Sequence, residues 1–219
     1  MLEPLLLTIA VVTVPFGLYL AFDRKSTDQR VQRRINRHER TREALRRLCQ
    51  KEEHWSPNHL RFELRQNYRT LQKARQSGDW ATLEAMAAAG VVGEWRKDWE
   101  RHQSLGVQWT LDPLEIIDVQ AVNLQNRPGY DKDFVTVEIE TRRREYVRGP
   151  QGCFQEGSGY VGDTPDSIPM DMVKEYWTFV RRENDWCLVR CDQKFPESLA
   201  FVDEESGAIA ESEVPDGPG

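Results

Sequence analysis

The chain has 219 residues, with 30 Lys and Arg against 36 Asp and Glu, a formal net charge of -6 and only 4 Cys and 4 His. That length excludes a disulfide-stapled mini-protein and suits one domain with appendages. Seven Trp, six Tyr and eight Phe supply a core's bulk, which excludes wholesale disorder, and the mild acidity argues against a dedicated nucleic-acid binder.

The charge is unevenly distributed along the chain. Residues 1–22 carry one charge, Glu3, whereas residues 23–50 carry ten basic and four acidic residues, a block of +6, which leaves -11 for the remainder. The run Leu5 to Phe22, LLLTIAVVTVPFGLYLAF, is 18 residues without a charge. As a helix it spans about 27 Å, close to the hydrocarbon thickness of a bilayer. Pro15 is tolerated in lipid as a kink, and Tyr19 and Phe22 suit an interface. Nothing basic precedes the run and no small-residue cleavage site follows it, which argues against a secretory signal. Residues 1–22 are therefore expected to be a transmembrane anchor. A buried core helix is the alternative.

Arg24, Lys25, Arg30, Arg33, Arg34 and Arg37 follow on the C-terminal side. By the positive-inside rule they put the N-terminus outside and the rest of the chain in a bacterial cytoplasm, or in the matrix if the membrane is the mitochondrial inner one. From Asp28 to Gln50 there is no Gly or Pro, and Val31, Ile35, His38, Leu45 and Leu48 recur at helical spacing. This predicts a weakly amphipathic basic helix within a stalk over 23–55, with its arginines on anionic lipid. A solvated spacer and an arm against a partner subunit are the competing readings.

Ser56-Pro57 predicts a helix start, Leu60, Leu64, Tyr68 and Leu71 the buried face, and Gly78 the stop near Ser77. Asp79 is expected to cap a second helix, Trp80 to Ala89, closed by Gly90. A third, about Val91 to Gln103, puts Val92, Trp95 and Trp99 on one face and ends before Gly106.

From there the period changes to two. Gln108 to Leu124 predicts a strand in which Ile117, Val119 and Ala121 oppose Ile116, Asp118 and Gln120. After the turn cluster at 126–129, Phe134 to Tyr146 alternates Val135, Val137 and Ile139 against Thr136, Glu138 and Glu140, a half-buried strand. Residues 147–169, rich in Gly and Pro, predict a long loop. Asp171 to Arg181 and Trp186 to Gln193 form the last two strands, and residues 203–219 a disordered acidic tail. Three helices followed by four mostly antiparallel strands make an α+β layer arrangement.

The cysteines fit a reducing compartment. Cys49, Cys153, Cys187 and Cys191 form no C-x-x-C and no zinc-ligand pattern with His. Cys187 and Cys191 lie four apart on one strand, about 13 Å, too far to bridge. His38, His54, His59 and His102 all sit in polar stretches. Glu175 alone has the spacing of a pocket-rim carboxylate, and its expected role is to pair with an Arg across the sheet. With no phosphate loop, no Ser-His-Asp pattern and no metal spacing, a catalytic site, cofactor or metal is not expected. Trp109, Trp177, Phe179, Trp186 and Leu188 are candidates to line a pocket for an acyl chain or apolar peptide, the alternative for each being plain core.

The pair of strands Glu175-Tyr176-Trp177-Thr178-Phe179-Val180-Arg181-Arg182 and Trp186-Cys187-Leu188, ending in Asp192-Gln193, resembles the closing signature of the Tim44-like family, E-x-W-x-F-x-R then W-x-L and a Gln. Ala74 to Asp79 is similar to the family's A-x-x-x-G-D helix end, and Ile116-Ile117-Asp118-Val119 to its I-x-D/E-V strand. The resemblance spans roughly residues 56–195. It implies a cone-shaped domain over 56–202 in which a curved, mostly antiparallel sheet wraps over helices and encloses a hydrophobic pocket. It also implies a tether at a membrane surface that touches lipid and a protein partner; that the module is non-catalytic is expected from the missing catalytic constellation. An accessory subunit of a larger membrane complex is the runner-up, and an enzyme on the same fold the third reading. The transmembrane run is a departure from the family's import subunit, so the import partners do not carry over.

Overall fold

In the computed structural model, residues 32–50, 55–125, 133–150, 152–155, 161–162, 164–182 and 185–195 are described. The expected transmembrane anchor, Arg24, Lys25, Arg30, His54 and the acidic tail all lie outside these residues. Among the described residues no helix is long and apolar enough to cross a membrane.

Helix α1 covers 32–49, as the absence of Gly and Pro predicts. Helix α2, Pro57–Ser77, buries Leu60, Leu64, Tyr68, Leu71, Gln72 and Ala74. Pro57 opens it with no help from a Ser56 side-chain cap, and Gly78 ends it at φ 69, a left-handed conformation that glycine adopts without strain. Asp79 then caps α3, its Oδ1 accepting the Thr82 N–H at 3.2 Å and its Oδ2 the Thr82 hydroxyl at 2.7 Å. The Thr82 side chain first, and then its backbone N–H, hold the Asp79 carboxyl below the usual carboxylate range.

Helix α3, Trp80–Met86, stops earlier than the sequence predicts. Ala87 is extended and bridges Leu188, and the Ala88 N–H donates to the Leu188 carbonyl at 2.7 Å. A tertiary hydrogen bond, not a glycine, breaks the helix. Helix α4, Ala89–Ser104, starts at once, so Gly90 lies inside it and closes nothing.

Among the described residues six strands form one sheet, where the sequence predicts four: β1 Gln108–Gln125, β2 Phe134–Gly149, β3 Gly152–Phe154, β4 Val161–Gly162, β5 Asp171–Arg182 and β6 Asp185–Asp192. The order is β4-β3-β2-β5-β6, with β1 on the other edge of β2, and every strand pair is antiparallel. The expected long loop 147–169 is thus partly sheet: β2 runs on to Gly149, β3 folds back on its end, and Pro165–Ser167 forms a 3-10 turn.

Alternation on β1 fails because the strand is irregular. Its register with β2 shifts at three places, one of them between Ile116 and Asp118. Such a bulge turns successive side chains to new faces. Ile116 is therefore buried and Ile117 is 45% exposed, the reverse of the sequence expectation.

The main core lies between one sheet face and the helices. Val135, Val137, Ile139, Trp177, Phe179 and Leu188 meet Leu60, Leu64, Tyr68, Leu71, Val92 and Trp95. Trp177 is its hub, with Tyr68, Trp95 and Phe179 rings at 4.6, 5.9 and 6.2 Å. The opposite face of β2 is buried too at Thr136 and Glu138, although the sequence predicts it to be open. Arg34 of α1 reaches Glu138 there, and Arg37 stacks on Phe195, which packs on Tyr176.

Candidate functional site

Two places gather polar chemistry. The first lies on the helix side of the sheet, where α2 meets the middle of β2. Arg143 falls on the buried side of a strand whose neighbours Arg142 and Arg144 point elsewhere, pairing with Glu115 and Asp166. Its guanidinium donates to both Glu175 oxygens, Nη1 to Oε2 at 2.8 Å and Nη2 to Oε1 at 3.2 Å. This is the planar two-point pairing that Arg makes with a carboxylate. The expectation that Glu175 pairs with an Arg across the sheet is met.

The network extends on both sides. Tyr68 donates its hydroxyl to Glu175 Oε2 at 2.8 Å and accepts from Arg143 Nη1 at 3.0 Å. Arg143 Nη2 also donates to Glu145 Oε2 at 2.9 Å, while Trp109 Nε1 donates to Glu145 Oε1 at 3.0 Å. Arg75 lies over the Trp109 ring at 4.4 Å and near Trp95 at 5.2 Å. A cleft of about 340 Å³ opens here, lined by Trp109, Arg143, Glu145, Tyr146, Asp171 and Gln193 among others.

The electrostatics of this cluster favour holding over proton transfer. Burial, and then the Glu175 carboxylate, raise the Tyr68 phenol above its ordinary range. Burial works against the Arg143 charge, but Glu175 outweighs it and holds the guanidinium protonated more firmly still. Both groups move away from neutrality, where a general acid or base needs to sit.

Of the five pocket candidates, Trp109 lines this cleft. Trp177, Phe179, Trp186 and Leu188 are all 5% exposed or less and belong to the main core, where Trp186 also packs on Trp55 with ring centroids 5.6 Å apart. Sequence reasoning did not single out Arg143 or Tyr68 for the site. Three consecutive arginines give no sign of which one the strand register buries.

His102, in a polar stretch of sequence, is only 5% exposed, in the last turn of α4. Burial lowers His38 below its ordinary value despite the opposing Glu138 carboxylate. All four cysteines are free, Cys153 and Cys187 buried and Cys49 and Cys191 partly so. Among the described residues, no group of three or more His, Cys, Asp or Glu is placed to hold a metal.

The second place is α1, whose basic residues divide between two faces. One face grips the domain: Arg34 pairs with the Glu138 carboxylate, Arg37 stacks 3.3 Å over Phe195, and Thr41 and Leu45 are buried. Glu138 also accepts from Tyr176 at 2.9 Å and Lys174 at 3.3 Å, so its buried charge is well compensated. The other face carries Arg33, Arg40 and Arg47, all exposed. A spacing of seven keeps them nearly in line along the helix. None of the three makes an ion pair among the described residues.

Comparison with known proteins adds the following. The sequence profile of the Tim44-like domain matches residues 41–193. The crystal structure of the intermembrane space region of the chloroplast protein ARC6 is similar at 8% identity and a TM-score of 0.39, over 58% of this chain and 90% of that one. No curated protein matches.

Proposed function

We propose, from the premise that the chain belongs to the Tim44-like domain family, that it is a non-catalytic interaction module held at a membrane surface. Residues 1–22 anchor it, and α1 lies between bilayer and domain. The domain faces the cytoplasmic side of a bacterial membrane and docks a protein partner there. Its fold begins inside the stalk, since the matched region starts at residue 41 and Thr41 and Leu45 are buried. The acidic residues 203–219 follow it.

The observation that carries this reading is the division of α1. Arg34 and Arg37, which sequence alone assigned to lipid, are spent on Glu138 and Phe195. That leaves Arg33, Arg40 and Arg47 as the stripe for anionic headgroups, with Arg24, Lys25 and Arg30 before it. A basic residue near an anionic surface contributes about 1 kcal/mol, so three contribute roughly a hundredfold in binding.

The test uses residues 23–219 and vesicles with about one third phosphatidylglycerol. R33Q/R40Q/R47Q is expected to lower binding roughly a hundredfold, while the wild type loses binding at 0.5 M salt. Equal binding to neutral phosphatidylcholine vesicles overturns the lipid assignment. The anchor is tested separately: the full chain is expected to stay with membranes through carbonate extraction, and release by carbonate excludes a spanning segment.

A further inference from the structure

A groove of about 480 Å³ runs between α2 and the start of β1, apart from the Arg143 cleft. Arg69 and Lys73 stand on its helix wall. Four residues apart, they lie one above the other on α2. Both are exposed, and neither makes an ion pair among the described residues. Gln72 contributes to the same wall but is only 2% exposed, with its amide against the Tyr68 hydroxyl.

The opposite wall is strand. Gln108, Leu111 and Asp112 line it, and β1 pairs with β2 alone, so its other edge is not occupied by a strand. Part of that edge is already met by a side-chain amide, since the Leu111 N–H donates to Gln76 Oε1 at 3.3 Å. Asp112 offsets one of the two cations, which leaves the groove net positive. Side-chain amides on both walls and two cations one turn apart, unpaired among the described residues, describe a particular guest. It brings backbone N–H groups and carboxylates together, as an extended acidic peptide does.

We propose that this groove receives an extended acidic segment, and that its occupant is residues 203–219 of the same chain. That stretch holds Asp203, Glu204, Glu205, Glu211, Glu213 and Asp216 and no Lys or Arg. From Phe195, 24 residues remain to the end of the chain. Extended, they reach about 80 Å, more than the width of a domain of this size. Two screened charge contacts bind a free peptide only weakly, but a tethered segment has an effective concentration near the millimolar range. Docking within one chain is therefore equivalent to docking of the free peptide at about millimolar concentration. The segment then covers the groove until a competing acidic partner displaces it. This inference stands on the groove and the tail, and does not depend on the membrane reading.

Hydrogen exchange of the full chain in detergent, read at residues 108–114, tests it. Ending the chain at Val202 is expected to speed exchange there several-fold. Adding a synthetic peptide of residues 203–219 at millimolar concentration and low salt is expected to restore the protection. R69E/K73E in the full chain is expected to match the truncation, and so is a full-length form with all six tail acids changed to amides, which leaves the domain itself untouched. Unchanged exchange on truncation, or full protection retained in both charge variants, overturns the proposal. Protection that falls on dilution assigns the tail to a second copy and overturns docking within one chain.

Discussion

At the scale of single residues, the decisive group is Arg143, whose side chain is 6% exposed and whose main partner, Glu175, is 13% exposed. Removing one member of such a pair strands the other charge. Arg143→Ala is therefore expected to cost about 3–5 kcal/mol in urea denaturation. Replacing both members with apolar groups, R143M/E175L, is expected to recover much of that, because two desolvation costs vanish together. If the double variant is as unstable as the single one, the pair is not the source of the loss. A second residue-level prediction concerns Cys191, whose thiol burial pushes from 9.0 up to about 11. A thiol raised in the folded state binds its proton more tightly there than in the unfolded chain. Its contribution is complete below about pH 9 and is lost as pH rises toward 11, so urea midpoints are expected to fall across that window. Cys191→Ser is expected to flatten the fall, although the Tyr176 hydroxyl, pushed up to about 12 by burial and Glu138, continues it above.

At the scale of elements, two glycines separate local from tertiary control. Gly78 sits at φ 69 with the Trp99 ring 3.1 Å from where a Cβ would stand. Gly78→Ala is expected to cost about 1–2 kcal/mol, through strain and through the ring it must displace. Gly93 lies inside α4 with nothing within 4 Å of a Cβ. Gly93→Ala is expected to raise stability by about 0.5–1 kcal/mol, seen as a higher melting temperature. The two changes thus carry opposite signs, one at the end of α2 and the other inside α4. The start and stop of α2 were legible in Ser56-Pro57 and Gly78 because those signals are local. The end of α3 was not, because a hydrogen bond from Ala88 to Leu188, a hundred residues away, sets it. β1 repeats the lesson, since a two-residue period predicts faces only while the register holds, and its bulge exchanges Ile116 with Ile117. Ile116→Ala is accordingly expected to cost about 2–5 kcal/mol, and Ile117→Thr less than 1.

At the scale of the whole molecule, α1 joins the basic part of the chain to the sheet. Its inner face is held by Arg34 on Glu138, Arg37 on Phe195 and the burial of Thr41 and Leu45. His38 lies beside this contact and faces Glu138, Arg34, Arg37 and Arg42, and burial depresses its pKa. A histidine held neutral in the fold must bind a proton on release, so acidification below its ordinary value of 6.5 favours release of α1. Limited proteolysis within 32–50 is expected to quicken between pH 7 and 5.5, and His38→Gln is expected to remove that dependence. Equal cleavage at both pH values excludes it.

By itself the sequence determined the α+β order of helices and strands, the family, and the segregation of charge into a neutral run, a basic block and an acidic remainder. Those follow from composition, period and short local motifs, which neighbouring residues impose on one another. The tertiary structure alone decided which of three consecutive arginines is buried, which arginines of α1 are left exposed, and that the Gly- and Pro-rich stretch after β2 adds two strands. Each depends on register or on contacts between residues far apart in the chain. The charge of -6 thus says little as a total, because folding spends some of its members on each other and leaves others, on α1 and along the α2 groove, exposed and without an ion pair among the described residues.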